Sequence, residues 1–210
     1  MKYLRIKINS WTSSFRYPIF VAGYQPTLKI PPLSTLYGLL SSVKGEYVTP
    51  EDTKIGFLFF SKGLTVDLES IYELESNLKY KTNVCKREIL FDNEMYLYVE
   101  NLEFKKYFEV PNYPVLLGRS SDVAMITEIA EVEMKIPNNN VRIGKTLIPF
   151  PTQGIYGHLL ALPQYFTNTI PREAIGTRPY YMLDKFIEYS PKSTQVLYDE
   201  ELEWGVWIHE

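Results

Sequence analysis

The sequence predicts an α+β fold that opens strand, helix, strand, strand, on three observations. Residues 3–8 alternate, with Leu4, Ile6 and Ile8 on one face and Tyr3, Arg5 and Lys7 on the other, the period of a half-buried strand. Leu36, Leu39, Leu40 and Val43 recur at i, i+3, i+4 and i+7, one apolar stripe of a helix. Ile55-Gly56-Phe57-Leu58-Phe59-Phe60 is a continuous apolar run, as in a strand covered on both sides. That succession is the start of βαββαβ order, the ferredoxin-like arrangement.

The first strand presents a basic and aromatic open face, Tyr3, Arg5 and Lys7, such as an RRM uses for RNA and such as a merely solvated sheet also carries. The helix has signals at both ends. Pro31 and Pro32 hold its approach extended, Ser34 or Thr35 is placed to cap the first turn, and Gly45 stands where a left-handed C-cap costs least. After the apolar run, Lys62-Gly63 reads as a turn into a partner strand at Leu64, Val66 and Leu68. Residues 69–80 are left open, since Ile71, Leu74 and Leu78 fit a helical face as well as irregular structure. Residues 84–99 read as a hairpin turning at Asp92-Asn93, with Lys79, Lys81, Lys86 and Arg87 on its first arm. Cys85 in that arm reads as a small packing residue. Residues 101–109 form a short helix seeking cover for Leu102, Phe104 and Phe108, and 123–134 a strand that closes the core sheet.

Pro137 to Asn140 is a break, which divides a core, 1–136, from a small β-rich C-terminal elaboration, 137–210. Strands are expected over 178–187 and 196–208, where Trp204, Val206 and Ile208 alternate. Tyr-Gly-x-Leu-Leu recurs at 156–160 after its appearance at 37–41 only in part, and Pro151 and Gly154 spoil a second helix there.

Composition narrows the function classes. At 210 residues with 17 Tyr and 11 Phe, the chain can bury a sizeable core. One cysteine excludes a disulfide framework and a cysteine-based zinc cluster, and two histidines exclude a histidine-rich metal site; no metal and no cofactor is expected. No apolar run approaches the ~20 residues of a membrane span, and MKYLRIKINSW is a strand pattern rather than a signal peptide. The expectation is a soluble protein of a reducing compartment, cytoplasmic, with no membrane partner.

Charge is unevenly placed. Residues 1–45 hold six Lys or Arg and no Asp or Glu, leaving 16 basic against 25 acidic residues for the rest. A basic lobe in an acidic chain points to a polyanion contact on one face, or to a solvated basic surface. Acids gather at the end, at Asp199, Glu200, Glu201, Glu203 and Glu210, and are expected to face solvent or a basic protein.

Phe15-Arg16-Tyr17-Pro18, then Gln25-x-Thr27, then Ile30-Pro31-Pro32-Leu33-Ser34-Thr35-Leu36-Tyr37-Gly38-Leu39-Leu40, together with Leu117-Gly118-Arg119-Ser120-Ser121 far downstream, resemble the signatures of the CRISPR-associated Cas-five family. The resemblance covers about the first 135 residues. It implies a ferredoxin-like (RRM-type) core with a projecting β-hairpin thumb, about 77–100, in a subunit of the Cascade surveillance complex that caps the 5′ handle of the guide RNA (crRNA). It also implies docking on the repeated backbone subunit and the large subunit, with target DNA met only within that complex. The RNA contacts it implies are Phe15, as a stacking or wedging face, Arg16, Gln25, Thr27, Ser34, Thr35, Gly38, Lys86, Arg87, Gly118, Arg119 and Ser120. Chemically, Gly118 permits close backbone approach, Arg119 can fork onto a phosphate, and Ser120 and Ser121 add donors.

No P-loop, HExxH or GxSxG occurs. Metal-independent RNA cleavage needs a general base, a general acid and a cation, a set of three that Tyr156, His158 and Lys145 could between them supply. Some members of the family process guide RNA with a Tyr, His and Lys set, but these positions do not align with it. The reading is therefore a non-catalytic crRNA-binding subunit, the alternatives being a guide-processing endoribonuclease and a ferredoxin-like enzyme for a small anion.

Overall fold

In the computed structural model, residues 1–17, 23–74, 79–191 and 194–210 are described. Among the described residues the chain is mainly β with two helices. Strand β1 (Lys2–Ser13) is followed by three two-residue strands, β2 (Phe15–Arg16), β3 (Tyr24–Gln25) and β4 (Thr27–Leu28), then by helix α1 (Leu33–Lys44). Two 20-residue strands, β5 (Ile55–Leu74) and β6 (Tyr80–Val99), lead to α2 (Phe104–Glu109) and β7 (Ala124–Glu133). These pair in the order β5-β6-β1-β7, every neighbouring pair antiparallel.

Alternation decides what each face of this sheet covers. Leu4, Ile6 and Ile8 meet Leu36, Leu40 and Val43 of α1 and Phe104 and Phe108 of α2 in one buried cluster. Burying one such leucine stabilises the fold by about 2 kcal/mol. Gly45 closes α1 at φ 77, its N–H donating to Ser41 O over 2.9 Å. The N-cap differs from expectation. Pro32, extended at φ −68 and ψ 153, holds that position, and Thr35 N–H donates to Pro32 O, so Ser34 and Thr35 already lie inside the first turn with no side-chain cap.

The opposite face differs more. Tyr3 and Arg5 are buried, not open. Tyr3, Leu58, Tyr96 and Tyr98 pack against Met134, Leu197, Val206 and Ile208. The cover comes from β15 (Val196–Asp199) and β16 (Trp204–His209), which with β8 (Val141–Ile143) and β14 (Ile187–Tyr189), packed in a cluster of their own, extend the same sheet beyond β5. β16 is hydrogen-bonded to β5 through Ile208 and Gly56, where a Cβ on Gly56 would stand 2.6 Å from Val206 Cγ1. The Arg5 guanidinium is taken up by Asp199, Glu128 and Glu201 at 2.9–3.0 Å, and Tyr98 donates to Asp199 as well. A separate three-stranded sheet joins β10 (His158–Leu162), β13 (Arg178–Leu183) and β9 (Thr146–Pro149), and β11 (Tyr165–Phe166) pairs with β12 (Ala174–Ile175).

The expected hairpin is displaced. No turn occurs at Lys62-Gly63 or at Asp92-Asn93; both lie mid-strand, where Asp92 adopts φ 52 and pairs with Lys62. Aspartate tolerates that left-handed conformation, so the dipeptide marks a local kink instead of a reversal. β5 and β6 run paired from Ile55 with Val99 to Leu74 with Tyr80, about 65 Å of ladder. β1 accompanies β6 only as far as Leu90, so the outer half projects from the core. Of the stretch 69–80, residues 69–74 and Tyr80 are strand, while residues 75–78 lie outside the described residues.

Candidate nucleic-acid interface

At the root of the hairpin three remote stretches meet. The loop after β1 is tied down by Thr27 and Glu88. Thr27 Oγ1 accepts the Phe15 N–H at 2.8 Å and donates to Leu28 O, while the Thr27 N–H donates to Glu88 Oε2 at 3.1 Å. Tyr24 donates its hydroxyl to the other Glu88 oxygen, and Ser14 Oγ donates to Glu88 O. β3 adds to β6 in parallel, setting Tyr24 beside Lys86 and Gln25 beside Arg87, and the Lys86 N–H donates to Gly23 O at 3.0 Å.

The downstream motif folds against this loop. Gly118 has φ 123, and a Cβ there would lie 2.8 Å from Ser14 O, so only glycine lets the two backbones approach. Arg119 turns back on Asp122: its N–H and Nε donate to Oδ2 at 2.9 and 3.0 Å, and Nη2 donates to Oδ1 at 2.9 Å. Thr12 Oγ1 donates to the same carboxylate at 2.8 Å. Burial alone would raise the Asp122 pKa, but the Arg119 side-chain and backbone donors and Thr12 outweigh it and hold the carboxyl below its usual range. The hydrogen bonds to Asp122 in turn raise the Arg119 pKa. Glu69 of β5 bridges onward, accepting from Arg119 Nη1 at 3.4 Å and from Arg87 Nε at 2.5 Å.

The sequence-derived contacts sort accordingly. Phe15, Gln25, Thr27, Arg87, Gly118 and Arg119 come together at this junction, with Lys86 and Ser120 exposed at its border and Arg16 exposed opposite Thr27. Phe15 has no free ring face: it is a core residue edge-on to Phe59 at 5.3 Å, which corrects its expected stacking role. Arg87 and Arg119 are held in ion pairs rather than presented bare to solvent. Ser34 and Gly38 line a different groove, between α1 and Tyr113, Tyr165 and Arg172. A Cβ on Gly38 would meet nothing within 4 Å, and Thr35 is half-buried on the same helix. The acids Glu69, Glu88 and Asp122 were not foreseen; only Asp122, three residues after Arg119, carried a sequence signal, the turn-forming aspartate.

A second cleft, of about 410 Å³, lies between Tyr17, Lys29, Tyr156, His158, Asp184 and Lys185. Tyr17 Oη is 3.4 Å from His158 Nδ1, and Lys29 pairs with Asp184 at 3.1 Å. Lys145 is in the adjoining groove, its ammonium 5.8 Å from the Phe60 ring, so Tyr156 and His158 share a cleft that Lys145 only borders. The other histidine, His209, is buried against Phe57 and Tyr180 without a hydrogen-bond partner for either nitrogen. Among the described residues no group of three His, Cys, Asp or Glu could hold a metal ion, and no helix is long and apolar enough to cross a membrane.

Comparison with known proteins bears on the fold. No protein-family model and no curated protein sequence matches the chain. Solved structures do. A chain of a CRISPR RNA-guided surveillance complex is similar at 14% identity and TM-score 0.58, over 89% of this chain and 91% of that one. A chain of the type III-B Cmr-beta complex bound to cognate target RNA is similar at 9% identity and TM-score 0.57, over 95% and 96%. A CRISPR protein from Archaeoglobus fulgidus is similar at 10% identity and TM-score 0.50 over the full length of both. The chain thus has a fold found in CRISPR-associated proteins.

Proposed function

We propose that the chain is a non-catalytic crRNA-binding subunit of a type I CRISPR surveillance complex, one that holds the 5′ handle of the guide RNA and docks on the backbone and large subunits. One observation carries the reading. The segments Phe15–Arg16 and Tyr24–Thr27, the Gly118-Arg119 turn and the Lys86-Arg87 segment are far apart in sequence and converge at the hairpin root. The sheet order β5-β6-β1-β7, with a helix in each crossover, supports a ferredoxin-like core. Likeness in fold to chains of two CRISPR RNA complexes supports the same class. Phosphates meet Arg16 and Lys86, which are exposed, while the Arg119–Asp122 and Arg87–Glu69 pairs set the shape of the groove.

The test is affinity for a guide RNA with and without its 5′ handle, measured on the purified chain and on the reconstituted complex. Handle-dependent binding that Arg16→Ala with Lys86→Ala abolishes is the expected result. Equal affinity for both RNAs overturns the reading.

The cleft that brings His158 within 3.4 Å of Tyr17 favours a second reading, metal-independent cleavage of repeat RNA. Cleavage by the purified chain that is lost in His158→Ala would replace the first reading with this one.

A further inference from the structure

The face of the sheet that the C-terminal strands cover is not covered along its whole length. Successive β1 residues on that face pass from buried at Tyr3 and Arg5, through partly exposed at Lys7 and Asn9, to Trp11, which is 74% exposed. Beyond the cover lies a depression of about 740 Å³ lined by Lys7, Asn9, Trp11, Asp92, Met125 and Glu128. Its apolar part is substantial: Met125 and Val123 are exposed, and the Trp11 ring lies 5.8 Å from that of Phe91. Along its border runs β7, which among the described strands pairs only with β1, so the other edge of its ladder is open.

Charge says what fits. Glu128 and Glu201, both well exposed, converge on one nitrogen, Arg5 Nη2, at 3.0 and 2.9 Å, while the buried Asp199 takes Nη1. One guanidinium thus serves three carboxylates, a local surplus of negative charge at the open edge. Lys7 is engaged by Glu94 at 2.8 Å and Lys62 by Asp92, so neither offsets that surplus. A phosphate backbone is repelled here, whereas an incoming segment finds two carboxylates for an arginine and, further along β1, the Trp11 ring for an apolar residue.

We propose that the outer edge of β7, with the Trp11–Met125 depression beside it, docks an extended arginine-bearing segment of a partner protein. The segment adds as a strand, seats an apolar side chain against Trp11 and Met125, and sets an arginine beside Glu128 and Glu201. This does not depend on the RNA reading, since it uses the acidic surface and none of the hairpin-root residues.

The probe is a short synthetic peptide of alternating valine and arginine, titrated into the full chain. Amide exchange of residues 125–133 and Trp11 fluorescence are the readouts. Protection of those amides with a change in tryptophan emission is expected, and Trp11→Ala, at an exposed site that leaves folding intact, should weaken binding about tenfold. The same peptide with glutamate for arginine, or interrupted by proline, should leave both signals unchanged. The proposal is overturned by no protection from the arginine peptide, by equal binding of Trp11→Ala, or by oligouridylate protecting the same amides in its place. Self-association abolished by Trp11→Ala also overturns it, by making a second copy the occupant.

Discussion

Arg5 and Asp199 lie 194 residues apart in sequence and form a 3.0 Å ion pair with neither side chain more than 3% exposed. Such a pair tolerates no half-removal. Asp199→Ala leaves Arg5 Nη1 and the Tyr98 hydroxyl buried without their shared acceptor, while Glu128 and Glu201 keep Nη2, so it should cost about 2–4 kcal/mol. Glu201→Ala, on the same guanidinium but exposed, should cost under about 1 kcal/mol. Urea unfolding of both variants gives the comparison.

The two tested glycines should behave oppositely. Gly118→Ala meets Ser14 backbone at a positive φ and should destabilise by roughly 1–3 kcal/mol while weakening RNA binding. Gly38→Ala meets open space on a helix and should stabilise the free chain by about 1 kcal/mol. Thermal melts that move in the same direction would contradict the geometry.

Among cations at the interface, exposure separates binding from support. Arg16→Ala and Lys86→Ala should each lower the salt slope of RNA binding by about one with the melting temperature unchanged. Arg119→Ala should lower the melting temperature too, because Asp122 is then left buried and unpaired. An Arg119→Ala variant as stable as the parent would show that the pair does not hold the turn.

Acid should act through His209. Burial, with a smaller contribution from Arg178, lowers its pKa from 6.5 to about 3. The unfolded chain therefore binds more protons than the folded one between those values. Stability from this residue is whole above about pH 6.5 and lost as pH falls toward 3, by at most about 1.4 kcal/mol per pH unit. His209→Phe should flatten the pH dependence of unfolding across that window, measured by urea midpoints from pH 7 to 4.

Local pattern made much of the fold legible. The alternation of Leu4, Ile6 and Ile8, the Leu36 to Val43 stripe and the short helix around Phe104 and Phe108 all describe what each segment must bury, and the structure buries them so, with Gly45 closing the first helix. What escaped was set by distant partners. Nothing near Arg5 announces Asp199, so a strand face that reads as open is closed by the far end of the chain. Asp92-Asn93 carries a hairpin signature, yet the pairing of β6 with both β5 and β1 holds it mid-strand. The site was half visible. Its glycines and cations could be picked out, but the acids that orient those cations could not, since Glu69 and Glu88 look like ordinary charged residues of a strand.

The last strand, β16, completes the sheet beside β5 and seals Tyr98 and Arg5 beneath it. During synthesis the chain makes β1, α1 and the whole long hairpin well before Val206 and Ile208 exist to cover them. Until residues through His209 have left the ribosome, a tyrosine-rich sheet face and a lone buried-type guanidinium stand open to water. The first half of the sheet can therefore pair before its second face is sealed, and that face stays open to water until β16 docks.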